Sequence, residues 1–299
     1  MKNVLGIFRA ACYSPGMKKH DESILHAVAE RLKEEGYAVS LIHEEELDTT
    51  IPKPDIVLHM ARSPQAIDIL QNWQVTGCRV INTAESVRHV ERAALAYLCS
   101  EQGISTPQTW IVDTAHSHTT TAQNTCGTTT PITFPCWIKR TGTCAQHPDD
   151  VCRIDDLDAY AQCLTRFRAR GISKAVVMQH IEGPCIKFYA VKGSNFFFCL
   201  PAYDKWSASS PISSPPSSRG YSAYETAIRH SILIPINQAK DTPIIYGGDV
   251  IIGADGVAYL IDLNDWPSFS PCREKAAEAI TRMILDLDNT ATAQPAWDC

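Results

Sequence analysis

Two periodicities alternate along the first 82 residues of the chain. Short apolar runs are typical of buried strands, and apolar residues three or four positions apart are typical of amphipathic helices. The predicted strands are residues 4–8, 37–42, 55–60 and 79–82, and the predicted helices are residues 23–33 and 64–73. Their order, β-α-β-β-α-β, predicts a small and largely parallel sheet with right-handed crossovers.

Two arginines directly follow predicted strands of this sheet. Ligands of open α/β sheets bind at the carboxyl ends of the strands, and Arg9 and Arg62 fall at such ends. Each arginine could contact a substrate, or it could be a solvated or structural loop residue. The sequence leaves both alternatives open.

After residue 85 the pattern mixes a helix, strands and polar loops. A helix is predicted at residues 86–101, ended by Gly103, and a strand at residues 109–112. Residues 113–133 are rich in threonine and almost free of large apolar side chains, which predicts a surface loop. Residues 207–220 are rich in serine and proline and predict a flexible flap within the second domain.

The segment YGGDVIIGADGVAYLIDLNDW predicts a β-hairpin. Two apolar runs flank an Asp-Gly pair at residues 255–256, and this dipeptide favours a two-residue turn. With that turn, Ala254 faces Val257 and Ile251 faces Leu260 on the opposite strand.

The same register places two carboxylates opposite each other. Asp249 faces Asp262, and Asn264 lies on the same face because strand side chains alternate. Like charges at such a position, with Cβ atoms about 4.5–5.5 Å apart, destabilise a hairpin, so we expect a cation between them. Two carboxylates and a carboxamide form an all-oxygen site suited to Mg²⁺. The alternative is a solvated hairpin end, where Asp262 and Asn264 cap the following loop.

Composition and charge exclude several function classes. Hydrophobic residues make up 44% of the 299 residues and charged residues 20%, as in an ordinary globular protein. Because 27 Lys and Arg stand against 33 Asp and Glu, no basic surplus is present for a nucleic acid. No apolar run approaches the roughly 18 residues of a membrane helix. We therefore expect a cytoplasmic protein without a nucleic-acid or membrane partner, and we expect its twelve cysteines to be free thiols.

Five segments in a fixed order resemble the ATP-grasp superfamily. They are FPCWIKR, VVMQHIEG, IKFYAV, GGDVII and LIDLNDWPSF. Residues 81–110 are similar to the segment that opens such domains, and the preceding unit resembles the Rossmann-like domain that usually comes first. The resemblance implies an α/β ATP-grasp fold, with a Rossmann-like pre-ATP-grasp domain at residues 1–84 and a two-lobed ATP-grasp domain at residues 85–299. Its hinge would lie near residues 179–182.

The resemblance also implies ATP and Mg²⁺ as cofactors and gives residues their roles. Lys139 matches the strand lysine that meets the α- and β-phosphates. Gln179, His180 and Ile181 match the hinge, whose backbone meets the adenine edge, and Lys187 matches a basic residue near the nucleotide or the acceptor. Asp249, Asp262 and Asn264 of the predicted hairpin match the metal ligands. A lysine on a buried strand is costly unless an anion such as phosphate pairs with it.

Some positions depart from the pattern of the superfamily. Arg92 stands where a lysine is frequent, and Cys185 stands near the position of an acid that binds ribose, so that Glu182 would have to substitute for it. The phosphate-covering loop is reduced to RTGTCAQHPDD, with Gly142 as its one glycine. Backbone amides at residues 141–143 or of His147 could still reach the γ-phosphate.

The resemblance favours an ATP-dependent ligase that activates a carboxylate as an acyl phosphate for attack by an amine or a thiol. A small-molecule or peptide carboxylate is the expected partner, and a homodimer is compatible with this interpretation. Arg273 follows the loop after the hairpin and could bind the substrate carboxylate together with Arg9 and Arg62. One alternative is a small-molecule kinase of the same fold, suggested by Lys187 and LIDLNDWPSF. The other is a catalytically weak nucleotide-binding module.

Overall fold

The computed structural model describes residues 1–14, 16, 18–116, 119–142, 145–202 and 218–292. Most of the expected flap at residues 207–220 lies outside the described residues, as do Thr143 and Cys144 of the expected phosphate loop. Among the helices that are described, none is both long and apolar enough to cross a membrane.

The first part of the chain forms a four-stranded parallel sheet, here called the N-terminal sheet. Its elements are β1 (Asn3–Phe8), α1 (Lys18–Glu34), β2 (Ala38–His43), β3 (Ile56–His59), α2 (Pro64–Val75) and β4 (Arg79–Ile81). The strand order is β2-β1-β3-β4, and every neighbouring pair is parallel. The β-α-β-β-α-β prediction is therefore confirmed, because each element carries its own apolar periodicity.

Two helices follow where the sequence predicts one. They are α3 (Ala84–His89) and α4 (Arg92–Gln102), and the predicted single helix at residues 86–101 is wrong. Glu91 adopts an extended conformation, with φ −61° and ψ 132°, and becomes the N-cap of α4. Gly103 ends α4 in the left-handed region as predicted, with φ 65°.

A second sheet, the central sheet, is entirely antiparallel. The chain runs through β5 (Thr109–Asp113), a small hairpin of β6 (Thr121–Gln123) and β7 (Thr129–Pro131), β8 (Cys136–Arg140), β9 (Val151–Ile154), α5 (Leu157–Ala169) and β10 (Lys174–Gln179). The sheet order is β5-β10-β8-β9. The small hairpin corrects the expectation of a plain loop at residues 113–133. Helix α5 packs on one face of the sheet through Tyr160, Leu164 and Phe167.

The third sheet, the C-terminal sheet, contains the predicted hairpin. Its strands are β11 (Cys185–Val191), β12 (Phe197–Pro201), β13 (Ile245–Ile252) and β14 (Ala258–Asp265), in the order β12-β11-β13-β14. One face packs against α4, α6 (Ser218–Ile228), a π-helical turn (Arg229–Leu233) and α7 (Ile234–Gln238). The opposite face, with Lys187, Asp249 and Asp262, looks toward the central sheet across a cleft.

The last helix, α8 (Arg273–Thr292), returns to the N-terminal sheet and packs against α1. Residues of α1, of α8 and of the C-terminal sheet share one hydrophobic core, which includes Ile24, Val28, Ala277, Ile280 and Trp266. The N-terminal sheet and the C-terminal sheet are therefore joined by apolar packing.

Candidate functional site

Lys139 lies at the centre of the cleft and connects its two walls. It sits on β8, on the face of the central sheet opposite α5, and only 7% of its surface is exposed. Its Nζ donates a hydrogen bond to the carbonyl oxygen of Ile261 on β14, at 2.6 Å. Burial lowers the pKa of Lys139 to about 8, and the carboxylate of Asp262 offsets this only in part. The predicted phosphate lysine is thus a buried cation without a carboxylate of its own.

Asp249 and Asp262 face each other across the hairpin, as the sequence predicts. Between the turn and the bulge the predicted register is wrong, because Ile251 faces Tyr259 rather than Leu260. The hairpin loop takes five residues, 253–257, instead of two, and a bulge at Ile261 then restores the expected pairing. The longer loop shifts the pairing by one residue, and the bulge shifts it back by one residue before Asp249 and Asp262 are reached.

Two side chains supply the cations that the opposed carboxylates require. Lys187 lies 2.9 Å from Asp249, and Arg92 lies 3.4 Å from Asp262 and also donates to the carbonyl of Arg140 at 3.3 Å. Burial raises the pKa of Asp249, and Lys187 opposes that shift. For Lys187, burial lowers the pKa, but the charge and the hydrogen bond of Asp249, with smaller contributions from Tyr189 and Asp262, together outweigh it, and the net direction is upward. Each carboxylate of the pair therefore has a basic neighbour within the chain.

The donor set at this point of the cleft fits Mg²⁺ in chemistry. Asp249 and Asp262 provide carboxylate oxygens, and Asn264, opposite Gly247 in the same register, provides a carboxamide oxygen. Among the described residues no cluster of three or more His, Cys, Asp or Glu side chains is arranged as a complete metal site. The set therefore suits an ion that keeps water and phosphate oxygens in its coordination sphere, which is the usual state of Mg²⁺.

The hinge connects the central sheet to β11 and is held by its own hydrogen bonds. The amides of Gln179 and His180 donate to the carbonyls of Gln108 (2.8 Å) and Pro135 (3.2 Å). These two amides are therefore engaged within the protein, and the adenine contact expected of the hinge backbone stays a prediction. Ile181 follows them in the same segment.

The hinge histidine has a defined tautomer. The indole N–H of Trp137 can only donate, and it lies 3.0 Å from Nδ1 of His180. Nδ1 is therefore the acceptor, and Nε2 carries the hydrogen that is donated to Glu182, 2.9 Å away. The side chain of Glu182 is 74% exposed.

The loop between β8 and β9 is organised by a buried carboxylate. Asp150 accepts hydrogen bonds from the amides of Gln146 (2.8 Å) and His147 (3.0 Å), and Arg170 pairs with it at 2.5 Å. The His147 amide that was expected to reach the γ-phosphate is therefore engaged within the loop. Residue 143 lies outside the described residues.

No family model matches the sequence, and no curated protein matches it. Solved structures do resemble it over nearly their whole length. A D-alanine–D-alanine ligase from Bacillus anthracis, complexed with ATP, aligns with a TM-score of 0.65 at 14% identity, over 97% of this chain and 99% of that chain. A RimK-domain ATP-grasp protein from Sphaerobacter thermophilus gives 0.64 at 15% identity, over 94% and 99%. The chain has the ATP-grasp fold. The VanG D-Ala:D-Ser ligase from Enterococcus faecalis gives 0.64 at 14% identity, over 96% and 99%.

The arginines expected at the substrate end of the ATP-grasp fold lie in two different places. Arg62 forms a salt bridge of 2.5 Å with Asp265, and Arg9 donates to backbone carbonyls at the end of β14. Of the two alternatives for these arginines, the structure supports the structural one. Arg273 is the first residue of α8, with Nη2 3.5 Å from the hydroxyl of Ser270. Within the described residues, no hydrogen bond connects Arg273 to Lys187 or Asp249.

Sequence reasoning missed two features, one in the ATP-grasp cleft and one at the end of β14. The carbonyl of Ile261 accepts from Lys139 because a bulge turns it toward the cleft, and no residue type in the sequence marks that bulge. Asp265 is not among the predicted site residues, and strand alternation places it on the face opposite Asn264. An acid directly after Asn264 in an otherwise apolar strand was the available signal.

Proposed function

We propose that the chain is an ATP- and Mg²⁺-dependent ligase that activates a carboxylate as an acyl phosphate for attack by an amine or a thiol. The observation that supports this most directly is the position of Lys139, a buried cation that faces the opposed carboxylates of Asp249 and Asp262 across an ATP-grasp cleft. Two of the similar solved structures are amino-acid ligases, and one of them holds ATP. Amino-acid ligation and ATP binding are properties of those proteins, and they motivate the proposal for this chain.

Lys139 would bind the α- and β-phosphates. A phosphate oxygen is a stronger partner for an ammonium group than the neutral carbonyl of Ile261 is, so Nζ would exchange one for the other. The adenine edge would meet the Ile181 amide, since the two preceding amides are engaged. Glu182, exposed and held by His180, would accept hydrogen bonds from the ribose hydroxyls.

Asp249, Asp262 and Asn264 would hold Mg²⁺. The ion, when bound, would neutralise charge on the phosphates during phosphoryl transfer. Lys187 would then be released from Asp249 toward the γ-phosphate, because the ion and the lysine compete for one carboxylate. Arg92, next to Asp262, would stabilise the same end of the triphosphate.

The reaction would proceed in two steps. A carboxylate oxygen of the substrate attacks the γ-phosphorus, and ADP leaves with the bridging oxygen. The amine or thiol then attacks the carbonyl carbon, phosphate leaves, and the nucleophile's proton passes to a base or to water. Arg273 would orient the carboxylate through its guanidinium group.

Phosphate release with pooled metabolites tests this function. The chain is incubated with ATP and Mg²⁺, together with carboxylates, amines and thiols added singly and in pairs. A ligase releases phosphate only when a carboxylate and a nucleophile are both present. A kinase makes ADP when a single acceptor is present. If neither of these two patterns is observed, the proposal is contradicted.

The ion pairs in the cleft favour one second candidate, a catalytically weak nucleotide-binding module. Lys187 and Arg92 already partner the two carboxylates that would hold the ion. If these pairs persist when nucleotide binds, ATP would bind without Mg²⁺ and would not be turned over. Calorimetry of ATP binding in EDTA, combined with the turnover assay, separates the two functions.

A further inference from the structure

The carboxyl edge of the N-terminal sheet, where open α/β sheets bind ligands, is filled by the C-terminal end of the metal-site hairpin. Arg62, from the loop after β3, forms a salt bridge of 2.5 Å with Asp265 at the end of β14. The side chains are only 4% and 0% exposed. Arg9, from the end of β1, donates to the carbonyls of Asp265 and Trp266, each at 3.2 Å.

The other strand of the hairpin is held at the same edge. The side chain of Asn82, directly after β4, accepts from the amides of Ile244 (2.7 Å) and Ile245 (2.9 Å) and donates to the carbonyl of Ile245 (2.8 Å). The indole N–H of Trp266 donates to the carbonyl of Ile81 at 3.2 Å. Three strand ends of the N-terminal sheet therefore contact the start of β13 or the end of β14.

The two arginines are themselves fixed by carboxylates of the N-terminal domain. Arg9 lies 3.1 Å from Asp21. Glu44 accepts from the amides of Arg62 (2.9 Å), Ser63 (2.5 Å) and Ala10 (3.0 Å). Asp21 thus holds the guanidinium group of Arg9, and Glu44 fixes the backbone of the loop that carries Arg62.

The hairpin needs such a fixed point, because its register changes along its length. Near the loop Val250 faces Leu260, and beyond the bulge Asp249 faces Asp262. If the bulge at Ile261 were lost, the loop register would continue and Asp262 would face Gly248. A shift of one residue moves every side chain to the other face, so Asp262 and Asn264 would point into the apolar core.

We propose that Arg62 and Arg9 are positioning residues that hold β14 in the register where Asp262 and Asn264 face the cleft. Arg62 acts through Asp265, which is adjacent to Asn264 and lies beyond the bulge. A buried ion pair is weak evidence for stability in itself, and its best-attested use is to select one register. The readout through Mg²⁺ rests on the proposed function.

The first test measures ATP binding by calorimetry over a titration of Mg²⁺. We expect Arg62→Met to raise the Mg²⁺ concentration at half-maximal effect by about tenfold or more, as for other residues that orient metal ligands. ATP affinity without Mg²⁺ should be unchanged. The matched control is Arg88→Met, which removes an exposed salt bridge of 3.0 Å between α3 and Asp68 of α2 and should alter neither quantity.

A milder variant covers the case in which Arg62→Met does not fold. Arg9→Lys keeps the charge beside Asp21 but cannot reach the carbonyls of Asp265 and Trp266 together. We expect a smaller shift of the Mg²⁺ midpoint in the same direction. A variant that melts earlier but keeps the midpoint of the wild type would overturn the proposal, since the arginines would then be structural only.

A second test is independent of nucleotide. Opposite residues in an antiparallel pair are close enough for a disulfide, so Asp249→Cys with Asp262→Cys should cross-link on oxidation with diamide, mapped by mass spectrometry. We expect the cross-link to be lost when Arg62→Met is added and kept when Arg88→Met is added. A cross-link that survives Arg62→Met contradicts the register role. If the wild type does not bind ATP, the proposed function is refuted. The cross-link would still test whether Arg62 holds the register, because it does not depend on nucleotide.

Discussion

Lys139 and Ile261 connect the two walls of the cleft directly. The lysine Nζ on the central sheet donates to the carbonyl of the bulge residue on the C-terminal sheet at 2.6 Å. A bulge carbonyl has no partner in the strand ladder, and a buried ammonium group needs an acceptor. Each therefore satisfies the other while no anion lies between the sheets.

The protonation of Lys139 predicts how ATP binding depends on pH. Burial lowers its pKa to about 8, and a bound phosphate would restore the charge. ATP affinity should be level below pH 8 and should fall as the pH rises above it. Calorimetry on both sides of pH 8 measures this, and Lys139→Met should abolish the dependence. Lys174→Met, at an exposed position of the same sheet, should preserve it.

The same pKa has a consequence for folding. The unfolded lysine keeps its proton up to its ordinary pKa of 10.5, whereas the folded one loses it from about 8. The unfolded state therefore binds more protons between these values, so this group's contribution to the free energy of unfolding increases with pH across that window. In denaturant melts, the free energy of unfolding of the wild type should therefore rise relative to that of Lys139→Met as the pH increases from about 8 to 10.5. A gap that is constant with pH would contradict the buried charge.

Asparagine at either of the opposed carboxylates should stop turnover without unfolding the protein. Asp249→Asn relieves a like-charge contact but also removes the partner of Lys187, which is 35% exposed and can be hydrated. The two effects offset, so the free energy of unfolding in EDTA should change by less than about 1 kcal/mol. ATP turnover of Asp249→Asn and Asp262→Asn should fall by about a hundredfold or more. Retained turnover would refute the metal assignment.

Alanine at Gly183 should distort the hinge. Gly183 has φ 153°, and a Cβ there would lie 2.0 Å from the carbonyl oxygen of Ile252. Gly193 also has a positive φ, 81°, but a Cβ there would meet nothing within 4 Å. Gly183→Ala should therefore cost about 1–3 kcal/mol more than Gly193→Ala in denaturant melts, and only Gly183→Ala should weaken ATP binding. Equal costs would show that backbone strain alone matters.

Cys152 should be a reactive thiol at neutral pH. The neighbouring Cys163 thiol, helped by Arg166, lowers the pKa of Cys152 against the effect of burial. The rate of alkylation by iodoacetamide, followed at this residue by mass spectrometry, should rise to half its maximum at a pH below the ordinary thiol range. Cys163→Ser should reduce the reaction at Cys152 if the thiol is the stabilising donor. A midpoint in the ordinary thiol range would contradict the assignment.

Local pattern was enough to predict the N-terminal sheet and the facing of Asp249 and Asp262. The α/β elements follow from periodicities within a few residues, which each segment carries independently of its neighbours. The carboxylate pair was correct although the turn was wrong, since the five-residue loop and the bulge at Ile261 shift the register in opposite senses. A bulge between apolar residues leaves no sign in the residue types themselves.

Contacts between distant segments were beyond sequence reasoning. The salt bridge of Arg62 with Asp265 joins residues far apart in the chain, and each residue type is equally compatible with a solvated surface. The break before α4 is similar, because Glu91 is an ordinary helix former that becomes an N-cap in its tertiary context. The sequence thus identified candidate chemistry but not which arginines remain available for a substrate.

The packing of α8 on α1 has a consequence for the order of folding during synthesis. The apolar side of α1, including Ile24 and Val28, is covered in part by Ala277 and Ile280 of the last helix. The ion pair of Arg31 with Glu274 (3.1 Å), and Asp288, which contacts Lys2 and Tyr37, tie the same helix to the beginning of the chain. The N-terminal sheet and α1 therefore leave the ribosome before α8, the helix that completes their core. Until α8 emerges, the exposed apolar surface of α1 is a place where a chaperone would bind.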